Sequence, residues 1–258
     1  MTDGTPGSSL GPPTPVPASR TPLQQSLARA AIYRLLAGAW AYPTAAVLAE
    51  LARTAEAAAG HPPLPALAAP LAAFAAAARS ADPATLGDEH VFLFDRQVRC
   101  SPYEGAYGDG PGLAGKSAAL ADVAGFYAAF GVGPADARPD TEDHIGAELE
   151  FMSVLALKEA WAVGEHDPEG VEVVRGAQVS FLRDHLGRWV ETFADEVSAA
   201  TPVSYYTSAA RLLKAWISIA CDGLGVAPAR LAGRLGHDPL HEDTFTCPMA
   251  DPAPPEGR

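Results

Sequence analysis

Cysteine is scarce in this chain. Cys100, Cys221 and Cys247 lie far apart, form no C-x-x-C pair and leave an odd thiol if two are joined, a spacing that speaks against a disulfide framework. Cations are few as well: 18 Lys and Arg face 31 Asp and Glu, for a formal net charge of −13. Phosphate contacts need a surplus of Lys and Arg, so general nucleic-acid binding is disfavoured. A basic partner suits the balance better, although an acidic surface also serves solubility alone. No uninterrupted apolar stretch is long enough to span a bilayer. The first 21 residues carry Gly, Pro and Ser without the basic start and apolar core of a secretory leader. The expectation is therefore a cytoplasmic protein without stable membrane insertion.

Catalytic signatures are missing too. There is no H-E-x-x-H pair and no nucleophile motif. The chain is expected to carry no cofactor and no metal and not to be an enzyme. The alternative is an all-helical hydrolase dependent on a metal or a nucleotide. It would draw on His144, Glu148 and a C-terminal group, His237, His241 and Cys247, whose spacing is loose for a zinc site.

What is abundant is alanine, within a hydrophobic content of 48%. Alanine loses no rotamer freedom in a helix, so the composition favours helices. At 258 residues one domain is the default. Residues 1–20 and 248–258 are too rich in Pro, Gly and Ser to pack and are expected to be disordered tails around a helical domain at 21–247. Thr21, Pro22 and Gln24 form a capping box, opening a helix to about Trp40 with Ala28, Ile32, Leu35, Leu36 and Ala39 on one stripe. Further helices are expected at 44–59, 64–79, 82–98, 115–130, 141–164, 171–197 and 201–223. Trp161, Trp189, Trp216, Phe181 and Phe193 fall at helical spacing and are expected in the core. Neither strand-like alternation nor an internal repeat stands out, so the fold class is all-α, a single-domain helical bundle.

Residues 99–115 interrupt this pattern with Pro102, Gly105, Gly108, Gly110, Pro111 and Gly112. Long loops of this kind usually carry function. Around this one lie Glu89-His90-Val91-Phe92-Leu93-Phe94 and Ser101-Pro102-Tyr103-Glu104-Gly105-Ala106-Tyr107. Further on come DTEDHIGAELEFM at 140–152 and AQVSFLRDHLGRWVETF at 177–193. In order and separation these stretches resemble the TorD/DmsD/NarJ family of molybdoenzyme assembly chaperones. His90 stands where that pattern has an aromatic, and Glu142 where a Pro commonly precedes Asp-His.

The resemblance implies an all-helical, non-catalytic protein. Its partner would be the apo catalytic subunit of a molybdopterin oxidoreductase, met in many members at a twin-arginine signal peptide and held until cofactor insertion. Nucleotide binding, the identity of the client and the choice between monomer and dimer stay open. A twin-arginine peptide presents two guanidinium groups and an apolar segment, so its receptor needs carboxylates beside an apolar groove. Glu104, Asp140, Glu142 and Asp143 supply the acids, and Tyr103, Tyr107, Phe126 and Tyr127 the apolar wall. An opposing view puts Glu142 and Asp143 in the first turn of a helix, where the dipole favours negative charge in any case. His144 and Glu148, four apart, are either part of the client site or a hydrogen-bonded pair at the edge of the core.

Overall fold

Thr21 sets the start of the first helix. Its hydroxyl accepts from the Gln24 N–H at 3.3 Å, while the Gln24 side chain accepts from the Thr21 N–H at 3.0 Å, so the expected capping box is formed. Helix α1, Pro22–Ala39, follows. The computed structural model describes residues 20–96, 98–108, 113–133, 141–231 and 233. The expected tails, Arg20 apart, therefore lie outside the described residues, as do Asp140, His237, His241 and Cys247.

After α1 come α2 (Ala45–Gly60), capped by Thr44, a short 3₁₀ turn at Pro65–Leu67, and α3 (Ala68–Ser80). Helix α4 (Pro83–His90), capped by Asp82, runs into a π-helical turn, Val91–Arg96. The motif loop follows, with one 3₁₀ turn at Glu104–Ala106, and then α5 (Leu113–Ala129). The last four helices are α6 (Ile145–Gly164), α7 (Pro168–Asp184), α8 (Leu186–Ala200) and α9 (Ser204–Leu224). No strand occurs among the described residues beyond one isolated bridge. The expected all-α bundle is borne out.

Helix α6 is the axis of the molecule. It packs chiefly on α1 and α7, while α9 leans on α8 and α3, and α2 lies against α3. Phe151, Phe181, Trp189, Phe193 and Trp216 are buried at the centre, and truncating an aromatic of this kind to Ala costs about 3–5 kcal/mol. His90, the departure from the aromatic pattern, fills an aromatic's place. Its ring packs edge-on against Tyr42 and Phe94 and lies 3.3 Å from the Tyr206 hydroxyl.

Three expectations need correction. Trp161 is 67% exposed, not in the core; it lies four residues after exposed Leu157 on the outward flank of α6. The expected helix at 171–197 is two helices, because His185 leaves helical geometry (φ −126°, ψ −102°). Gly187 makes that break possible. A Cβ there would lie 2.3 Å from the Leu182 carbonyl oxygen and 2.6 Å from Pro228, so the chain 226–231 can cross α8 closely, with the Leu231 N–H donating to the Arg188 carbonyl at 2.8 Å. Finally, α6 begins four residues later than expected. Glu142 and Asp143 precede it, and His144 is its N-cap, with Nδ1 accepting from the Gly146 N–H at 3.0 Å.

Candidate functional site

The motif loop is fastened to the segment before α6 by main-chain bonds. The Glu104 N–H donates to the Asp143 carbonyl at 2.9 Å, and the Ile145 N–H to the Pro102 carbonyl at 2.8 Å, forming the antiparallel bridge between Tyr103 and His144. Asp143 adds side-chain bonds: it accepts from the Gly105 N–H at 3.1 Å and from the Thr141 hydroxyl. The Tyr103 ring packs against the His144 ring, 5.1 Å between centroids. Between loop, segment and α5 lies an open groove of about 340 Å³, lined by Ser101, Tyr103, Gly105, Ala106, Leu120, Thr141 and Asp143.

Beneath the groove the acids converge on Tyr127. Its hydroxyl donates to the Glu142 carbonyl at 2.8 Å. Burial first, then the charges of Glu148, Asp143, Glu142 and Glu104, push this phenol above its ordinary value. Four acids from two distant motifs thus surround one ring. A histidine at the α7–α8 junction faces these acids: His185 Nδ1 is 3.1 Å from Glu104 Oε2, and its Nε2 is 3.2 Å from Asp122 Oδ2. The first is a buried hydrogen bond, whereas the second is a close ion-pair approach outside hydrogen-bond geometry. Burial works against the imidazolium, but the hydrogen bond and charge of Glu104, helped by Asp122, prevail and raise the His185 pKa.

Glu148 is wholly buried. Trp189 Nε1 donates to its Oε2 at 3.2 Å, while Oε1 has no partner among the described residues. Burial, and then the nearby Glu104 charge, hold this carboxyl well above its ordinary value. Both effects disfavour its charged form. The hydrogen bond that Glu148 accepts comes from α8 rather than from the N-cap His144.

The anticipated residues thus divide. Tyr103 and Asp143 line the groove, with Glu142 half-buried beside them. Glu104, Glu148, Tyr107 and Tyr127 are buried beneath it. Tyr107 stacks on Trp189, 5.2 Å between centroids, and its hydroxyl donates to the Ser101 carbonyl. Phe126 is half-buried with its ring edge on His185. His185 and Asp122 were not anticipated. The histidine stood in plain view within the H-L-x-x-W stretch, but its role depends on a break that helical spacing does not reveal. Among the described residues, no group of three His, Cys, Asp or Glu is placed to hold a metal, and no helix is long and apolar enough to cross a membrane.

An all-helical bundle with a bonded motif loop over an acidic, aromatic centre defines a recognisable class. Residues 57–195, more than half of the chain, match the model of the nitrate reductase delta subunit family, and the chain belongs to that family. The TorD/DmsD/NarJ resemblance is thereby borne out. Among its relatives is the chaperone protein TorD of Photobacterium profundum, 29% identical over 129 residues, 50% of this chain and 58% of that protein. TorD of Aeromonas salmonicida is 31% identical over 147 residues, 55% of this chain and 61% of that protein. The selenate reductase assembly chaperone of Thauera selenatis is 31% identical over 118 residues, 45% of this chain and 58% of that protein. The chain spans about three fifths of the length of these relatives.

Proposed function

We propose that this protein is a system-specific assembly chaperone, not an enzyme, and that its client is the apo catalytic subunit of a molybdopterin oxidoreductase. Family membership carries this reading, and relatives named as TorD or as perchlorate and selenate reductase assembly chaperones point the same way. The client's N-terminal segment, a twin-arginine signal peptide, lies in the groove. Tyr103, Ala106 and Leu120 meet its apolar part, while Glu142, Asp143 and the exposed carboxylate of Asp122 draw its guanidinium groups. Bidentate pairing favours arginine over lysine at such carboxylates. The buried set, Glu104, His185, Glu148 and Trp189, holds the groove in shape.

The test is co-purification of tagged protein with molybdopterin oxidoreductase subunits of its own organism, identified by mass spectrometry, followed by titration with the client's N-terminal peptide at low and high salt. Enrichment of one such subunit, with peptide affinity that falls as salt rises and falls again on Tyr103→Ala or Glu142→Gln, is the expected result. Recovery of no such subunit would refute the assignment. Recovery of the subunit with a peptide that does not bind would keep the chaperone and remove the signal-peptide site.

A further inference from the structure

A cavity of about 330 Å³, sharing no lining residue with the groove, is bordered by α1, α7, α9 and residues 63–64. That volume lies at the small end of ligand sites. Its walls are mainly apolar, from Ala28, Tyr33, Leu64, Ile219 and Leu224, yet polar atoms on three different helices are left without partners beside it. Gln178, with no exposed surface, has Oε1 unpaired; Arg29 has Nε unpaired; and Trp216, 1% exposed, has Nε1 beside the Tyr33 hydroxyl but outside good hydrogen-bond geometry. Buried polar atoms are rarely left in that state. All three residues line one cavity, with these atoms just behind its surface.

The charge at this cavity runs against that of the chain. Its charged lining residues are Arg20 and Arg29, in a protein of net charge −13. Behind the wall, Glu159 accepts from Arg29, from Arg175 Nε at 2.8 Å and from Gln178 Nε2 at 2.8 Å. One carboxylate between two guanidinium groups leaves positive charge unbalanced. Arg20 is pinned near the mouth by bonds to the Pro62 and His61 carbonyls at 2.9 and 2.6 Å.

We propose that this cavity is a binding site for a small organic carboxylate with an aromatic or branched apolar body, separate from the client groove. The carboxylate pairs with the Arg29 guanidinium and competes with the Tyr33 hydroxyl for the Trp216 N–H. The body lies among Tyr33, Leu64, Ile219 and Leu224, and a hydroxyl or N–H on the ligand donates to Gln178 Oε1. An ammonium ligand is disfavoured by both arginines, and a wholly apolar one leaves the unpaired atoms as they are.

The experiment is NMR titration of the full chain, following the indole N–H signals, with phenylacetate and indole-3-acetate as probes and phenylacetamide and phenethylammonium as controls. The expected result is a saturable shift of the Trp216 signal by the carboxylates, about tenfold weaker binding of the amide because the charge-assisted bond is lost, and none by the ammonium. Ala28→Phe, which fills the cavity from its half-exposed wall, abolishes the shift while the other indole signals keep their positions. Trp216→Phe weakens phenylacetate as read from the ligand's own signals, a second check should Ala28→Phe fail to fold. Absence of saturation with either carboxylate, equal affinity for the ammonium, or binding undiminished in both variants would overturn the proposal.

Discussion

Helix α6 carries two buried glutamates, Glu148 and Glu159, about three turns apart and so on nearly the same face. They could hardly be treated more differently. Glu159 has donors from Arg29, Arg175 and Gln178; burial opposes its charge, but these partners prevail and its pKa falls. Glu148 has one indole N–H and faces another carboxylate, and its pKa climbs. One end of the helix holds a carboxylate as an ion that ties α1 to α7. The other disfavours the charge of its carboxyl beneath the motif loop. The lesson is that burial alone does not set the charge of a glutamate; the count of donors around it does.

That contrast can be broken by mutation, and the largest effect is expected at the ionic end. Glu159→Ala leaves Arg29 without its buried acceptor and is expected to cost about 3 kcal/mol, read from denaturant midpoints at neutral pH. Glu148→Gln keeps an acceptor for Trp189 and removes the cost of a carboxyl whose charge is disfavoured, so at neutral pH it is expected to lose nothing or to gain stability. Equal losses in the two variants would erase the distinction. Gly187→Ala comes next, at about 2 kcal/mol, because the added methyl meets the Leu182 carbonyl and Pro228. It acts on the His185 side and is expected to weaken client binding while sparing the Glu159 cluster.

The finest test is the pH dependence of stability, where the two ends have opposite signs. Glu148 has a raised folded pKa, so the folded state holds its proton longer than the unfolded chain. Its contribution is lost as pH rises above the ordinary carboxylate value, about 4.3, by at most about 1.4 kcal/mol per pH unit. Glu159 has a lowered folded pKa, so its contribution is present above that value and is lost as pH falls through the folded one. His185, raised by Glu104, stabilises fully below about 6.5 and loses that contribution as pH rises through its folded pKa. Stability curves of Glu148→Gln and His185→Gln are therefore flatter on the alkaline side than the parent's, and that of Glu159→Gln is flatter on the acid side. Curves parallel to the parent's would show that these groups titrate alike folded and unfolded.

Much of this arrangement was legible in the residues. Thr21 with Gln24, and Asp82 before Pro83, announced helix starts because capping is local chemistry. The order of the motifs suggested a cluster of Glu104, Asp140, Glu142 and Asp143, whereas Glu148 was paired with His144 by spacing alone. What escaped was non-local. Residues 181, 182, 185, 186, 189, 190 and 193 keep helical apolar spacing straight through the break at His185, and only the close pass of Pro228 over Gly187 shows that two helices meet there. Glu159, within Lys158-Glu159-Ala160-Trp161, carried no local sign of burial because its partner Arg29 lies 130 residues away in sequence. Leu157 and Trp161 mimic a buried stripe but face outward, since α6 already has α1 and α7 on its other flanks.

The bridge between Tyr103 and His144 has a consequence for how such a receptor diversifies. Main-chain groups of Pro102, Glu104, Asp143 and Ile145 make its two flanking bonds, and any non-proline residue offers the same donors. Side chains at 103, 106, 120 and 141 can be exchanged without unfastening the loop. The groove is thus a fixed frame with replaceable lining, and under the client site proposed above, transplanting those four positions between relatives is the economical way to change the client.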